Sequence, residues 1–294
     1  MTGLPCHLFF GGTMRTVNEK EIVETVKKLF LEANYKIPCD VTNKLIEEKK
    51  KQSNELTEGV IDVILRNNDV ACKNSLPICQ DTGMAVVFVR IGNLVHINTQ
   101  RSLQEIIDEG VAEAYTEGYL RMSVVADPLF RNNTKNNTPS IVYTEIASGD
   151  KIEITALPKG FGSENMSRIK MFNPTASRDD VIDFIVSAVK DAGANPCPPI
   201  VVGVGIGGTF DYSAVLSKKA LMRPLDKFNE DEFYAQMEKD ALERVNELGI
   251  GVQGLGGPTT ALKVNIEKYP THIAGLPVAV NICCHVMRHK TAII

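Results

Sequence analysis

Apolar residues recur at helical spacing through the first part of the chain. Between residues 18 and 34, Ile22, Val23, Val26, Leu29 and Phe30 fall on one stripe, which predicts an amphipathic helix. A second helix is expected with Asp40 or Thr42 as its cap and Glu47-Glu48-Lys49-Lys50-Lys51 on its solvated face. A third is expected from Thr57, with Val60, Ile61, Val63, Ile64 and Leu65 inward. The first 70 residues thus read as helical scaffold without evident chemistry.

The pattern changes after residue 79. The apolar run 85–91 predicts a buried strand ended by Gly92-Asn93, and 94–98 is expected to return beside it. A helix over about 102–119 follows, carried by Leu103, Ile106, Ile107, Val111, Ala114 and Tyr115. Beyond a polar loop at 131–139, segments 140–147 and 151–157 around Ser148-Gly149-Asp150 predict a hairpin. Ser177 and Asp180 have capping-box spacing for a helix over 178–192, and Gly193 closes it. Strand 200–204, helix 229–247 and strands 261–266 and 277–282 complete the order. The expected class is α/β (mixed α+β), a helical N-terminal scaffold followed by mixed sheets with surrounding helices and site loops at strand ends. Residues 14–294 are expected to form one domain, with residues 1–13 an extension ahead of Met14.

Composition narrows the function classes. The chain of 294 residues is 44% hydrophobic and 23% charged, ordinary values for a globular protein. A net charge of -4 gives no bulk attraction for nucleic acid or anionic lipid, so an anionic substrate must be met by local Arg, Lys or N–H groups. No apolar run approaches the roughly 18 residues of a membrane span, and the N-terminus is a poor signal peptide. A reducing cytoplasm is therefore expected, with the seven cysteines as free thiols. Cys6, Cys39 and Cys72 read as buried small hydrophobes.

The other four cysteines sit in loops beside strands. Cys79 lies in Leu76-Pro77-Ile78-Cys79-Gln80-Asp81-Thr82-Gly83, Cys197 in Asn195-Pro196-Cys197-Pro198-Pro199, and Cys283-Cys284 follow the last apolar run. Neighbours on a strand point to opposite faces, so only one of the final two is expected to face a site. The C-x(2–4)-C pair of structural zinc sites is missing. Dispersed thiolates suit an iron–sulfur cluster. The run Gly203-Val204-Gly205-Ile206-Gly207-Gly208 satisfies G-x-G-x-x-G, but no second strand with an acidic end follows at the required distance. Its glycines are read as allowing close approach of a ligand or a neighbouring strand.

These motifs together resemble the iron–sulfur hydro-lyases, the class I fumarate hydratases and L-tartrate dehydratases. The likeness rests on Pro77 to Gly83, on Asn195 to Pro199 ahead of Gly203 to Gly208, on Gly254-Leu255-Gly256-Gly257 with Thr259-Thr260-Ala261-Leu262, and on His272 to Cys284. The resemblance implies a 4Fe–4S cluster held by Cys79, Cys197 and Cys284, with one iron open to substrate as a Lewis acid and Cys283 not a ligand. It implies that Gln80 and Asp81 stand in the substrate shell, with Asp81 orienting substrate or relaying a proton. Arg121 would pair with a substrate carboxylate, Gly162 would offer backbone N–H groups, and His272 would act as a donor or proton shuttle. Two departures stand out: Arg288-His289 occurs where two consecutive arginines are frequent, and the C-terminal domain of single-chain members is missing. The chain is then expected to be an alpha subunit, inactive alone, working with a beta subunit in an alpha2beta2 assembly. Reversible hydration of fumarate to L-malate is the leading expectation, L-tartrate dehydration the alternative, and a non-catalytic cluster sensor the rival of a different class.

Overall fold

A computed structural model describes residues 14–294. The proposed extension, residues 1–13, lies outside the described residues. The described part is mixed α/β. Strand β1 (Arg15–Asn18) leads into α1 (Glu19–Tyr35), where the Asn18 side chain accepts from the Lys20 N–H at 3.0 Å and fixes the helix start. The stripe Ile22, Val23, Val26, Leu29, Phe30 is buried as its spacing demands.

Next come α2 (Cys39–Lys49) and α3 (Glu55–Asn74). Neither Asp40 nor Thr42 caps α2. Pro38 stands at the cap without a side-chain bond, and the Asp40 carboxylate instead accepts from the Leu225 N–H at 2.7 Å. Helix α3 starts two residues earlier than expected because Asn54 caps it through the Thr57 N–H at 2.9 Å. Of its supposed inward residues, Ile61 is buried but Val63 is 64% exposed. Cys39 and Cys72 are exposed rather than buried, since each lies on the solvent side of its helix.

The first large sheet contains β2 (Met84–Gly92), β4 (Ile141–Ala147), β5 (Ile152–Lys159) and β10 (Lys290–Ile293), in the order β10-β5-β2-β4. The expected 140–157 hairpin does not form. Strand β2 lies between its two arms, parallel to β4 and antiparallel to β5. The Ser148-Gly149-Asp150 turn instead wraps the end of β2, with Leu94 N–H on the Gly149 carbonyl at 2.9 Å. For the same reason 94–98 does not return along β2; β3 (Val95–Asn98) pairs in parallel with β1. Helix α4 (Leu103–Glu117), begun by a Ser102–Glu105 capping box, joins α1 over one face, burying Ala85, Val87 and Val89. Full burial of each such valine contributes roughly 1.5–3 kcal/mol.

The second sheet has the order β6-β9-β7-β8, from β6 (Arg168–Phe172), β7 (Ile200–Gly208), β8 (Ala261–Thr271) and β9 (Leu276–Cys283). Short helix α5 (Phe161–Glu164) precedes it. Helices α6 (Arg178–Ala192) and α8 (Glu232–Asn246) cover the face bearing Val202, Val204 and Ile206. The Ser177–Asp180 capping box starts α6 as expected. Helix α7 (Phe210–Leu221), not foreseen from the periodicity, lies against the other face. It explains the glycines: a Cβ at Gly203 would stand 2.2 Å from the Ser217 carbonyl oxygen, and one at Gly205 2.1 Å from that of Ser213. At these two positions the close approach is by a helix; at Gly207 it is by the neighbouring strand β8, where a Cβ would stand 1.9 Å from the Tyr269 carbonyl oxygen. A third cluster, including Val86 and Leu157 of the first sheet with Val201, Leu262 and Cys283 of the second, joins the two sheets through α2 and α3.

Candidate active site

Strand registers bring the cysteine loops together. Cys79 precedes β2, whose first residue Met84 is opposite Lys159, the last residue of β5. Cys197 precedes β7, and Val201 near its start is opposite Cys283 at the end of β9. Two cross-links join these sheet ends. The Lys159 ammonium donates to the Ile282 carbonyl at 2.9 Å, and the Arg288 guanidinium donates to the Asp81 carbonyl. All three loops therefore meet at one joint between the sheets.

The Cys79 loop is held from every side. Ile78 is buried; its N–H donates to the Asn34 carbonyl at 2.9 Å, and its carbonyl accepts from the Asn67 amide at 2.8 Å. The first helices thus carry the residues that set the height of Cys79. On the far side, the buried Tyr115 hydroxyl lies 2.7 Å from the Thr82 carbonyl oxygen and 2.9 Å from that of Gly83. Burial pushes the Tyr115 pKa up, so the group stays a donor. The Thr82 hydroxyl donates to the Arg121 carbonyl at 3.1 Å, which ties the Arg121 loop to the cysteine loop. Gly83 requires its positive φ of 80° and its missing side chain, since a Cβ would stand 2.7 Å from the backbone of Pro158 and Lys159.

Asp81 faces the turn that opens α5. One carboxylate oxygen accepts from the Phe161 N–H at 2.8 Å and the other from the Gly83 N–H at 2.9 Å. Gly162, one residue further, is open: a Cβ there would meet only the Asn195 carbonyl oxygen, at 3.9 Å. That contact puts the α5 turn beside the Cys197 loop. Cys197 has a φ of 55°, uncommon for a residue with a side chain. Its carbonyl lies 2.9 Å from His285 Nδ1, which the Gln253 side-chain amide also meets at 3.2 Å. Pro198 is fixed by the Gln253 N–H at 2.8 Å.

The Cys197 thiol is pushed up in pKa, first by burial and then by the neighbouring Cys284 and Cys79 sulfurs. The Cys197 thiol therefore feels both of the other loops. Cys283 turns into the core while Cys284 is partly exposed, the division that strand alternation demands. The two thiols share a hydrogen bond, so a second proton leaves that pair less readily than the first.

The other expected site residues divide. Gln80 and Arg121 are exposed, Arg121 with its carbonyl tied to the Cys79 loop and with no ion-pair partner among the described residues. His272 is not brought there. It lies in the exposed turn between β8 and β9, with Nδ1 accepting from the Ala274 N–H at 3.2 Å. Strand β9 has 8 residues and ends at Cys283, so the turn is roughly 25 Å from the cysteines at 3.3 Å per residue. A β-turn at one end of a sheet cannot reach the other. Sequence reasoning missed Lys159, which is 1% exposed and bonds Ser163 Oγ at 3.0 Å and Glu164 at 3.2 Å. It missed as holders of the loops Tyr115, Arg288 and the buried Asn137, whose amide donates to the Gly83 carbonyl at 3.2 Å. A lone Lys or Arg beside an apolar run carries no mark of burial.

Among the described residues, no group of three or more His, Cys, Asp or Glu side chains is placed to hold a metal ion. Zinc and an iron–sulfur cluster ask different spacings of their ligands: zinc gathers them within about 2.3 Å of one ion. A cluster spreads its thiolates over several irons, a wider spacing that three separate loops can supply. The donor set of three thiols fits it.

Comparison with known proteins gives the same direction. The sequence model described as "Fumarate hydratase (Fumerase)" matches residues 23–293. A Methanocaldococcus jannaschii protein named "Putative L(+)-tartrate dehydratase subunit alpha" is 44% identical over 269 residues, covering 90% of this chain and 94% of the relative. An Escherichia coli L(+)-tartrate dehydratase subunit alpha is 30% identical over 274 residues, covering 92% and 90%. Among the described residues, no helix is long and apolar enough to cross a membrane. The match over nearly the whole length, together with the converging cysteine loops, leads to one conclusion: the chain belongs to the fumarate hydratase (Fumerase) family, a family of hydro-lyases.

Proposed function

We propose that this chain is the alpha subunit of a two-subunit hydro-lyase acting on a four-carbon dicarboxylate, with a 4Fe–4S cluster held by Cys79, Cys197 and Cys284. The observation that carries the proposal is the meeting of three cysteine loops beside Asp81 and the Gly162 turn, with Cys197 feeling both other sulfurs. The cluster, when bound, supplies a Lewis-acidic iron for the hydroxyl that is added or lost. Arg121 pairs with a substrate carboxylate, for which its free guanidinium fork is suited. Gln80 orients the substrate, and the N-terminal turn of α5 at Gly162 offers backbone N–H groups. Asp81 holds that turn to the Cys79 loop; both its oxygens already accept backbone N–H bonds, so any proton it relays first breaks one of them. The chain's own His272 is too distant to take part from within the same chain.

An apolar rim supports the need for a second subunit. Leu76, Tyr119, Phe161 and Leu255, each next to a site loop, are exposed, Tyr119 by 91%. Exposed apolar residues gathered about a polar opening mark a docking face, and the named relatives are alpha subunits. The partner closes the site and brings the remaining groups of the reaction. Fumarate hydration, which adds water across the double bond to give L-malate, follows the family description. L-tartrate dehydration to oxaloacetate follows the relatives' names. Protein purified without oxygen together with its partner should contain iron and sulfide and turn over one of the two. Lack of iron and sulfide, or turnover of neither, overturns the proposal.

A further inference from the structure

Arg288 lies four residues past Cys284 and is 3% exposed. Its guanidinium donates to two carbonyls, that of Asp81 and, from Nε at 3.4 Å, that of Pro158. Its Nη1 is buried with no hydrogen-bond partner. Among the described residues no carboxylate comes within ion-pair distance of it, and the Asp81 carboxylate is turned to the Phe161 and Gly83 N–H groups. A guanidinium is never deprotonated in a protein. A buried, uncompensated positive charge is costly, and native folds seldom keep one without an anion to meet it.

The position of that charge indicates the anion. Arg288 spans the Cys79 loop through Asp81 and the end of β5 through Pro158, while its own backbone continues from Cys284. We infer that Arg288 is the fixed counter-charge of the cysteine site, built to face a net negative occupant made of thiolates and cofactor. This inference rests on the proposed cluster and adds to it: the cofactor completes the electrostatics of the fold as well as its chemistry. Arg288 is a positioning residue, because it touches the loops and not the substrate.

Two consequences separate charge from mere bracing. First, loading the site should raise thermal stability more in the wild type than in a neutral variant, because loading also relieves the unpaired charge. Second, a positive charge beside the cluster favours its reduced, more negative state, so removing it lowers the midpoint potential. The variants are R288Q, whose amide can still donate to the Asp81 and Pro158 carbonyls, and R288K, which keeps the charge but not the fork. The protein is prepared with its partner subunit, loaded and chelator-stripped, for thermal melts and redox titration monitored spectroscopically. R288Q should show a smaller rise in Tm on loading and a more negative potential; R288K should match the wild type in both. If R288Q does not yield folded protein, R288K decides by itself: a potential displaced from the wild type overturns the inference. Equal potentials and equal rises for R288Q and wild type also overturn it, while leaving the proposed function intact. Wild type without iron or sulfide removes both.

Discussion

Replacing Lys159 by methionine tests the joint on which the site is built. The ammonium is almost fully buried and holds Ile282 O, Ser163 Oγ and Glu164 at 2.9, 3.0 and 3.2 Å. Removing one partner of a buried ion pair costs about 3–5 kcal/mol when the other is left alone. Here Glu164 keeps Lys218 and the Asn281 amide, so it is not left alone. What is lost is one charge-assisted bond to Ser163 and one to the Ile282 carbonyl, each about 1.5–3 kcal/mol, offset in part because the ammonium no longer needs burying. The expected loss is about 3 kcal/mol. Urea unfolding of the loaded protein measures it, as a lower midpoint at unchanged slope. Because Ile282 immediately precedes Cys283-Cys284, the same variant should release iron faster in air. A midpoint and an iron-loss rate both equal to wild type would refute the claim that Lys159 couples the α5 turn to the Cys284 strand.

Other perturbations have distinct signatures. Cys79→Ser, Cys197→Ser and Cys284→Ser should each abolish a stable cluster, whereas Cys283→Ala should keep it; iron and sulfide analysis reads this, and a cluster-free C283A would reverse the assignment. Arg121→Ala should raise KM for a dicarboxylate roughly tenfold to a hundredfold in the assembled enzyme, the equivalent of one charged hydrogen bond at about 1.4 kcal/mol per tenfold. An unchanged KM would remove Arg121 from the substrate shell. Burial opposes the ionised form of Glu164, but Lys159, Lys218 and the Asn281 amide outweigh it and hold its pKa below the ordinary 4.5. A lowered carboxyl contributes stability that is complete above the unfolded value and lost as pH falls through the folded one. Glu164→Gln should therefore flatten the acid limb of the stability curve below about pH 4.5; an unaltered limb would contradict the pairing.

Helices and strand ends were legible because their signals are local. The α1 stripe and the Ser177–Asp180 box need only a few neighbouring residues, and both hold in the fold. Pairing order was not legible, because it is decided by residues far apart in sequence. Ser148-Gly149-Asp150 carries the chemistry of a hairpin turn, yet β2 takes the place between β4 and β5. The β7 glycines gave a signal of close approach without naming what approaches. The Ser213 and Ser217 carbonyls of α7 supply that answer at Gly205 and Gly203, and the Tyr269 carbonyl of β8 supplies it at Gly207. For the site, the cysteines announced themselves through their loops. The charges that join those loops did not, since Lys159 and Arg288 look in sequence like any surface cation.

That division has a physical consequence for the site. The cysteines belong to two sheets, and apolar packing between those sheets, through Val86, Leu157, Val201 and Leu262, is insensitive to small slips in their relative position. A cofactor held by thiols from both sheets tolerates no such slip. The polar cross-links at the joint are directional: Lys159 fixes β5 to β9, Asp81 fixes the Cys79 loop to the α5 turn, and Arg288 fixes that loop to the segment after Cys284. Buried ionic groups seldom add net stability over well-packed apolar ones, and their better-attested use is to select one register among several. Substituting Lys159, Glu164 and Lys218 together by methionine should accordingly cost less stability than Glu164→Met alone, which strands two buried lysines, while iron binding falls further. A triple variant that recovers stability and iron together would show the joint to be packing alone.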